Sequence, residues 1–240
     1  MLVAKHGVVK NTLITSLPRN ERREFLSHCE PVELVFGHVL CEIDQTLSHV
    51  YFPLVGFISR TSILDNHQPL EIGLIGNEGM LGATLALGVD EAPMRAVVQG
   101  AGTALRMTAG DLRRELKRTK MTPILGRYLY ILIAQLARSS ACTRFHEIEP
   151  RLARWLLMTH DRAHVDHFHL THEFLADMLG VRRSGVSIAA GKLQRRKLIR
   201  YSRGEIRVLD RKGLEAAACS CYTTLEAHAR EFGAARMNVR

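Results

Sequence analysis

Hydrophobic residues between positions 170 and 186 recur at the spacing of two short helices joined by a turn. Leu175 and Leu179 lie one helical turn apart and are expected to face the same core. Thr171 is a suitable N-cap for the first helix, and Gly180 can adopt the left-handed conformation that ends it. The segment is therefore predicted to be a helix-turn-helix, a motif that commonly enters the major groove of DNA.

A hairpin is predicted directly after the second helix, because apolar and polar residues alternate between Leu198 and Val208 around Arg203-Gly204. Such a hairpin is a wing. Upstream, the stretch from Arg151 to Arg162 carries apolar residues along one stripe and is predicted to be a helix, with Pro150 at its start. A last helix is predicted from Lys212 to about Phe232.

The first half of the chain follows a different pattern. Short apolar runs between Glu33 and Met107 are separated by glycines and prolines, as in a small roll of short strands. A short helix from Pro18 to Cys29 is predicted before them. Beyond the roll, four leucines recur at helical spacing and form a seam that can pair with a second copy of the chain: Leu125, Leu129, Leu132 and Leu136. A central helix buried within a monomer is the alternative, and the dimer is favoured because most soluble oligomers are twofold dimers.

These patterns predict an α+β protein of three parts. They are a β-roll sensory domain (residues 1–110), a dimerisation helix with its connector (111–148) and a winged helix-turn-helix domain (149–240). A chain of 240 residues is long enough to build two such cores.

The charge is concentrated in the C-terminal part. Of the net charge of +9, residues 151–240 contribute +8 and the first 150 residues contribute +1. Seven basic residues and no acidic residue lie between Val181 and Arg200. A solvated basic helix is the alternative explanation, but on the second helix of this motif the charge favours a contact with DNA phosphates.

Several classes of protein are excluded by what the sequence lacks. Lys5 and His6 interrupt the start, so no signal peptide is predicted, and the longest apolar run, Tyr128–Ala134, is short for a membrane span of about 20 residues. No Gly-rich phosphate loop, nucleophile elbow or His-Glu-x-x-His pair is found, so no enzyme is predicted. Five scattered cysteines indicate a reducing cytoplasm: Cys29, Cys41, Cys142, Cys219 and Cys221.

The order of roll, long helix and winged helix-turn-helix resembles the Crp-Fnr family of bacterial transcriptional regulators, which includes the cyclic-AMP receptor and the fumarate-nitrate regulator. The resemblance covers nearly the whole chain and is fainter in residues 51–59 and 75–82, which look like the sensory roll. It implies a homodimer that binds a near-palindromic operator, works with RNA polymerase and responds to a signal. It is strongest between residues 170 and 208, where these residues match the motif and wing: Leu175, Ala176, Leu179, Gly180, Val186, Leu193, Leu198 and Ile199.

The resemblance also implies a recognition helix that begins near Arg182. Arg183 aligns with the base-reading arginine of the family, and arginine can donate two hydrogen bonds to guanine. The other expected contacts to bases or phosphates are Thr171, His172, Arg182, Ser184, Ser187, Lys192 and Arg203. Thr171 acting only as a cap and His172 being merely exposed are equally open alternatives.

The recognition helix departs from the family at four positions. Ser184 stands where many members have glutamate, and Ile188 stands where the receptor has a second arginine, so the usual half-site is not expected. Gly185 and Gly191 are unfavourable inside a helix. Close approach to DNA is the favoured explanation for Gly185, and a helix that orders on binding is the alternative.

Family members that bind cyclic nucleotides use a glutamate for the ribose hydroxyl and an arginine for the phosphate. Glu78 and Arg95, which is followed by Ala96, can occupy these roles. Asn77 and a long interval with two further acidic residues weigh against them. No cofactor is therefore assigned, and the roll is expected to be a scaffold or to be adapted to another ligand.

Histidines and cysteines are the candidate metal ligands of this sequence. His160 and His164 are four residues apart and can face one ion, within a group that also includes His167, His169 and His172. A histidine-rich polar loop is favoured, and no metal site is assigned. Cys29 and Cys41 are too few and too far apart for an iron-sulfur cluster, and Cys219 and Cys221 are expected to point to different faces of the final helix.

The sequence thus predicts a homodimeric, sequence-specific DNA-binding transcriptional regulator whose activity is modulated by a signal at the roll. The alternative is a metal- or small-molecule-binding sensor whose output is a protein contact, with the helix-turn-helix serving only to pack.

Overall fold

The strands of the first half form one five-stranded sheet. The computed structural model describes residues 11–63, 68–163 and 165–223. The strand order is β1-β5-β3-β4, with β2 also paired to β5, and the strands are β1 (Glu30–Leu34), β2 (Val39–Cys41), β3 (His49–Ser62), β4 (Leu70–Ile75) and β5 (Arg95–Thr108). The prediction of a strand-rich roll is confirmed, although β3 and β5 are long strands of 14 residues each.

Two glycines allow β3 and β5 to approach each other closely. Gly56 has a φ of +80°, and a Cβ atom there would lie 2.3 Å from the carbonyl oxygen of Gly100. A Cβ atom on Gly102 would lie 2.2 Å from the carbonyl oxygen of Val55. Because any larger residue would collide with backbone, glycine is required at both positions.

Two short helices, α1 (Thr12–Thr15) and α2 (Arg19–Ser27), precede the sheet and contribute to its core. The second confirms the predicted helix from Pro18 to Cys29, and Pro18 occupies its N-cap. A single-turn 3-10 helix, Ala83–Leu87, lies between β4 and β5 and buries Ala83 and Leu85.

Asn11 joins the first helix to the roll. Its side chain is fully buried, and its oxygen accepts hydrogen bonds from the backbone amides of Leu13 and Ile14. Its side-chain nitrogen donates to the carbonyl oxygens of Pro53 at 3.1 Å and Gly79 at 2.8 Å. A buried amide with all these partners is stabilising, and its loss would leave two carbonyl groups without a donor.

The helical region after the roll consists of two helices, α3 (Ala109–Arg118) and α4 (Met121–Phe145). The side-chain oxygen of Thr108 caps α3 by accepting a hydrogen bond from the backbone amide of Asp111. Thr119, with φ −124° and ψ 170°, is extended and separates the two helices. The long helix of the sequence prediction is therefore α4 alone.

Two of the four leucines in the predicted seam of α4 are not free to meet a second copy, and this corrects the dimer-interface prediction for Leu125 and Leu132. Leu125 is fully buried and Leu132 is 9% exposed, both in the core of their own chain, because α4 covers the roll. The other two seam leucines are half-buried. The exposed apolar side chains of α4 are instead on a neighbouring face, where Tyr130 is 68% exposed and Ile133 is 65% exposed.

The C-terminal half is built around a second core of apolar side chains. Its elements are α5 (Ile148–Ala163), β6 (His167–His169), α6 (His172–Leu179), α7 (Arg183–Arg195), β7 (Ile199–Ser202), β8 (Glu205–Val208) and α8 (Arg211–Ala217). The apolar stripe predicted for α5 is buried, including Trp155 and Leu156. The helix begins two residues before Pro150, which therefore lies in its first turn. A proline is tolerated there because backbone N–H groups in the first turn have no acceptor within the helix.

Three predictions for this half need correction. The wing has a third strand, because β6 pairs with β8 and the sheet order is β6-β8-β7. The histidine-rich segment is thus partly a strand, with Phe168 buried between the exposed His167 and His169. The predicted final helix is interrupted, because α8 ends at Ala217, Ala218 is extended and the chain is helical again at residues 221–223; residues 224–232 of the predicted helix lie outside the described residues.

The chain divides into two compact units. Among the described residues, one unit comprises 11–60 and 74–133, and the other comprises 61–63, 68–73, 134–163 and 165–223. The first contains most of the roll with the start of α4, and the second contains the end of α4 with the winged helix-turn-helix. No helix within the described residues is long and apolar enough to cross a membrane.

Candidate nucleic-acid interface

The helix-turn-helix has the caps that its sequence predicts. Thr171 caps α6, and its hydroxyl oxygen accepts a hydrogen bond from the Phe174 amide at 3.1 Å. Gly180 ends α6 with φ 63° and ψ 44°, and Arg182 occupies the N-cap of α7. A non-glycine residue at Gly180 would be strained by this left-handed backbone. Thr171 and Gly180 therefore fix where α6 begins and ends and how the chain turns toward α7.

One face of α7, which we call the recognition face, is exposed to solvent. It consists of Arg183, Ser184, Ser187, Ile188, Lys192 and Arg195. The opposite face is buried in the core through Val186, Ala189, Ala190 and Leu193. The recognition face carries three basic and no acidic side chains, which suits an anionic partner. Ile188 is 63% exposed and supplies an apolar group at its centre.

His172 supports this face from α6. Its ring stacks on Tyr201 of β7, with ring centroids 4.1 Å apart, and its Nδ1 lies 2.8 Å from the Ser187 hydroxyl. That hydroxyl also donates to the carbonyl oxygen of Arg183 at 3.1 Å. Burial, followed by the positive charge of Arg183, lowers the pKa of His172, so the neutral ring is favoured. A neutral ring with its hydrogen on Nδ1 satisfies both contacts of Ser187, and the imidazole is thereby a positioning group.

The two glycines of α7 have different environments. A Cβ atom on Gly185 would lie 2.6 Å from Cδ1 of Ile148 in α5, so this residue permits close packing of two helices. The expectation that Gly185 permits close approach to DNA is therefore wrong. At Gly191 the nearest group to a Cβ atom would be the Arg195 side chain at 3.6 Å, which is an ordinary contact distance.

Several basic residues near the recognition face have acidic partners. Glu149 lies 3.5 Å from the Lys192 ammonium and 3.0 Å from the Arg196 guanidinium. This ion pair reduces the positive charge that Lys192 presents to an anion. The position of Lys192 in the sequence did not reveal the pair. In the wing, Arg203 is exposed at the turn with φ 51°, and Arg200 is directly opposite Arg207 in the β7-β8 register.

Comparison with known proteins agrees with this geometry. Residues 150–217 match the model of the Crp-like helix-turn-helix domain. A transcriptional regulator of the CRP/FNR family from Thermus thermophilus is 22% identical, covers 79% of this chain and 98% of its own, and superposes with a TM-score of 0.60.

Two further solved structures share the fold. FixK2 from Bradyrhizobium japonicum is 13% identical over 80% of this chain and 98% of its own, with a TM-score of 0.65. The c-di-GMP-responsive global regulator CLP from Xanthomonas campestris is 16% identical over 80% of this chain and 99% of its own, with a TM-score of 0.62. No curated protein gave a significant match.

The chain has a Crp-like helix-turn-helix domain over residues 150–217 and shares the fold of solved Crp-Fnr regulators. It is a DNA-binding transcriptional regulator with an α+β fold, as the sequence predicted. Proteins of this family are regulators and not, in general, enzymes.

The residues predicted to bind an effector make contacts within the roll. The Arg95 guanidinium is 3.1 Å from Glu42, and a carboxylate oxygen of Glu78 accepts a hydrogen bond from the Gly76 amide at 3.2 Å. Ala96 is fully buried. The structure thus gives Arg95 an acidic partner in the place where the resemblance would put a phosphate.

Tyr128 of α4 lies against the loop that contains Glu78. Its hydroxyl accepts a hydrogen bond from the Met80 amide at 3.2 Å, and a Cβ atom on Gly79 would lie 2.2 Å from that hydroxyl oxygen. The Tyr128 hydroxyl therefore occupies one backbone donor of this loop.

The histidine group does not come together as a set of free ligands. His160 contacts Asp166 through Nε2 at 2.8 Å and the Arg211 guanidinium through Nδ1 at 2.7 Å. His169 contacts Glu205 at 2.8 Å. His164 lies outside the described residues. The side chains of this group that the structure describes are thus partly occupied by ion pairs.

The cysteines are arranged differently from the prediction. Cys219 and Cys221 follow α8 instead of lying on one final helix, and both are buried together with Cys142 of α4. His146, one turn after Cys142, completes the group. Hydrogen bonding with Cys219 lowers the pKa of Cys142, and burial raises the pKa of Cys221. The sequence signals for this group were the Cys-x-Cys pair and the spacing of Cys142 and His146.

Proposed function

We propose that this regulator acts as a homodimer, reads a near-palindromic operator through α7, and changes its activity in response to a signal. The observation that carries the proposal is the recognition face, which is exposed, basic and supported from behind by a buried apolar face. Two such helices in a twofold dimer would meet the major groove about one turn of DNA apart, or about 10 base pairs between half-site centres.

The residues of the interface have separate roles. Arg183 lies at the start of α7 and is exposed, so it is the base-reading residue, with guanine as its partner. Ser184 and Ser187 present hydroxyls beside it. Arg182 and Arg203 are exposed and contact phosphates. Lys192 contributes to phosphate binding less than its charge suggests, since Glu149 lies beside it.

Thr171 and His172 contact a phosphate through backbone amides at the start of α6, where the helix dipole favours an anion. The Thr171 hydroxyl is already occupied by the Phe174 amide, and the His172 ring is held against Tyr201. The two side chains therefore order the backbone, and the amides supply the contact.

The dimer forms along α4. Its exposed apolar side chains, Tyr130 and Ile133, are the surface on which a second copy packs, in place of the buried Leu125 and Leu132. Light scattering would measure the molar mass of the wild-type protein and of Ile133→Asp. We expect the variant to be monomeric. Leu87→Asp, at a residue that is 66% exposed outside α4, is the matched control and is expected to stay dimeric.

The decisive test is selection of bound fragments from the source genome at physiological salt. We expect enrichment of fragments that contain two related half-sites, and loss of the enrichment with Arg183→Ala. Binding without sequence preference would contradict the proposal and favour the alternative of a sensor whose output is a protein contact.

The remaining features follow from regulation of transcription. The protein acts in the cytoplasm, contacts RNA polymerase when bound at a promoter, and has no enzymatic activity. The signal reaches α7 through α4, which begins in the first unit and ends in the second. A cyclic nucleotide is disfavoured as the signal because Glu42 already pairs with Arg95.

A further inference from the structure

Four metal-ligating side chains meet at the end of α4. Cys142 lies in the last turn of α4 and His146 directly follows the helix, whereas Cys219 and Cys221 come from the segment that follows α8. Their ligand atoms all lie within 4.8 Å of one another. The Sγ atoms of Cys142 and Cys219 are 3.6 Å apart, and His146 Nδ1 is 3.4 Å from Cys142 Sγ and 3.6 Å from Cys221 Sγ.

These distances are those of ligands around a single tetrahedral ion. Zinc binds sulfur at about 2.3 Å and nitrogen at about 2.0–2.1 Å, so the ligands of a tetrahedral site are separated by about 3.8 Å for two sulfurs and about 3.6 Å for sulfur and nitrogen. An iron-sulfur cluster places several iron and sulfide atoms between its cysteines and spreads the ligands farther. The spacing at this site therefore favours one ion with three sulfur ligands and one nitrogen ligand.

The backbone brings the four ligands together from distant parts of the sequence. His146 follows the last residue of α4, and its amide still donates to the carbonyl oxygen of Cys142 at 3.1 Å, so the two side chains lie on the same side of the helix end. After α8, Ala218 is extended with φ −73° and ψ 154°, which turns the chain toward that face. The Cys219 amide then donates a hydrogen bond to the carbonyl oxygen of Pro150 at 3.3 Å. A site built from a helix and a held loop is preorganised for an ion.

The surroundings supply charge for such a site. A zinc ion with three thiolates and one neutral imidazole has a net charge of −1, which requires a nearby cation inside a protein. Arg154 interacts electrostatically with all three thiols. Its Nε and one Nη atom are buried, and neither has a hydrogen-bond partner within residues 11–63, 68–163 and 165–223. A negatively charged metal centre would be a partner for this guanidinium.

We propose that Cys142, His146, Cys219 and Cys221 form a structural zinc site that fastens the segment after α8 to the end of α4. All four positions of the ion are taken by protein side chains, which is the arrangement of structural and not catalytic zinc sites. On binding, the three thiols release their protons to solvent, and no electron is transferred. The site is distinct from the roll and from the recognition face.

Metal analysis of the purified full-length protein tests the proposal directly. We expect one zinc ion per chain after purification in reducing buffer without added metal. Removal of the ion by a chelator is expected to lower the thermal midpoint, and added zinc is expected to restore it. Titration of the metal-free protein with Co²⁺ is expected to reach its endpoint at one ion per chain, with the intense visible absorption of a tetrahedral thiolate site.

Variants identify the ligands. Cys142→Ser and His146→Ala are expected to lose stoichiometric binding, whereas His146→Cys keeps four ligands and is expected to retain it. Cys29→Ser and Cys41→Ser are the matched controls, because neither residue belongs to the group, and both are expected to bind one ion. The Co²⁺ spectrum of the wild-type protein remains informative if a ligand variant fails to fold.

Three results would overturn the proposal. One is folded, reduced protein that binds neither zinc nor Co²⁺. Another is a disulfide between Cys142 and Cys219 as the form present in cells. The third is an iron-sulfur chromophore in place of zinc. None of these results would change the expected selection of operator fragments, which tests DNA binding separately.

Discussion

The recognition face and the roll differ in what their candidate functional side chains contact. Arg183, Ser184 and Ile188 are exposed on α7, and α7 itself contributes no acidic side chain to that face. In the roll, Arg95 is paired with Glu42, and Ala96 is buried. The residues of α7 are therefore available to a binding partner, whereas those of the roll make contacts within their own domain.

The difference separates the part that binds DNA from the part that would bind a signal. Reading DNA requires side chains that reach out from a rigid support, and α7 provides them on a helix packed across a full core. Binding a phosphate in the roll would require Arg95 to leave Glu42 and would place a ligand near acidic groups. The fold of the roll therefore does not by itself imply the ligand that Crp-Fnr regulators bind.

The strongest test of the output surface is Arg183→Ala. We expect it to weaken binding to the selected operator by about 1–3 kcal/mol, because a bidentate contact with guanine is lost. Binding to random DNA should change much less. The measurement is the dissociation constant for both DNAs at one fixed salt concentration.

Arg200→Gln is the control for Arg183→Ala, since it removes an exposed positive charge from the wing. The variant is expected to weaken binding to operator DNA and to random DNA by similar factors. It is also expected to reduce the salt dependence of the dissociation constant. Equal losses on both DNAs for Arg183→Ala would instead make Arg183 a phosphate contact.

The two glycines of α7 provide a comparison within the output domain. Gly185→Ala is expected to lower the free energy of unfolding by about 1 kcal/mol, because the new methyl group collides with Ile148 and the side chain must move. Gly191→Ala is expected to raise it by about 0.5–1 kcal/mol, since alanine is the better helix former and nothing crowds the site. Denaturant unfolding of both variants measures the difference.

A different result at Gly185 would have a clear meaning. If Gly185→Ala left stability unchanged but weakened operator binding, the residue would face DNA as the sequence analysis expected, and its packing against Ile148 would not matter.

The elements that sequence predicted well have local causes. The cap at Thr171, the left-handed Gly180 and the turn at Arg203-Gly204 each depend on a few neighbouring residues, and all were confirmed. The alternation of apolar and polar residues in the wing and the apolar residues along one side of α5 are also local patterns. Such features can be read without knowledge of any distant contact.

The features that sequence missed depend on distant partners. The role of Gly185 requires Ile148, the pairing of Lys192 requires Glu149, and the burial of Leu125 requires the roll. The leucine spacing indicated an apolar face correctly but could not reveal which partner covers it. In β6, two exposed histidines alternate with a buried phenylalanine, which is a local signal for a strand. The sequence prediction treated these histidines as a polar loop and missed that signal.

The roll is tested by Arg95→Gln. Because the Arg95–Glu42 pair is partly exposed, we expect the free energy of unfolding to fall by less than about 1 kcal/mol. Operator binding should be unchanged, with or without cyclic AMP. Calorimetry of the wild-type protein with cyclic AMP is the companion measurement, and binding that disappears in the variant would restore Arg95 as an effector residue.

The smallest expected effect is the pH dependence contributed by His172. Burial and Arg183 lower its pKa in the folded state, whereas the unfolded chain has the ordinary value of about 6.5. The unfolded state therefore binds the proton first, and stability falls as the pH drops below about 6.5. His172→Gln should flatten the dependence of the unfolding free energy on pH in this range. His167→Gln, at an exposed histidine of β6, is the control. If both variants gave the wild-type slope, the support that His172 gives to Ser187 would not depend on its neutral ring.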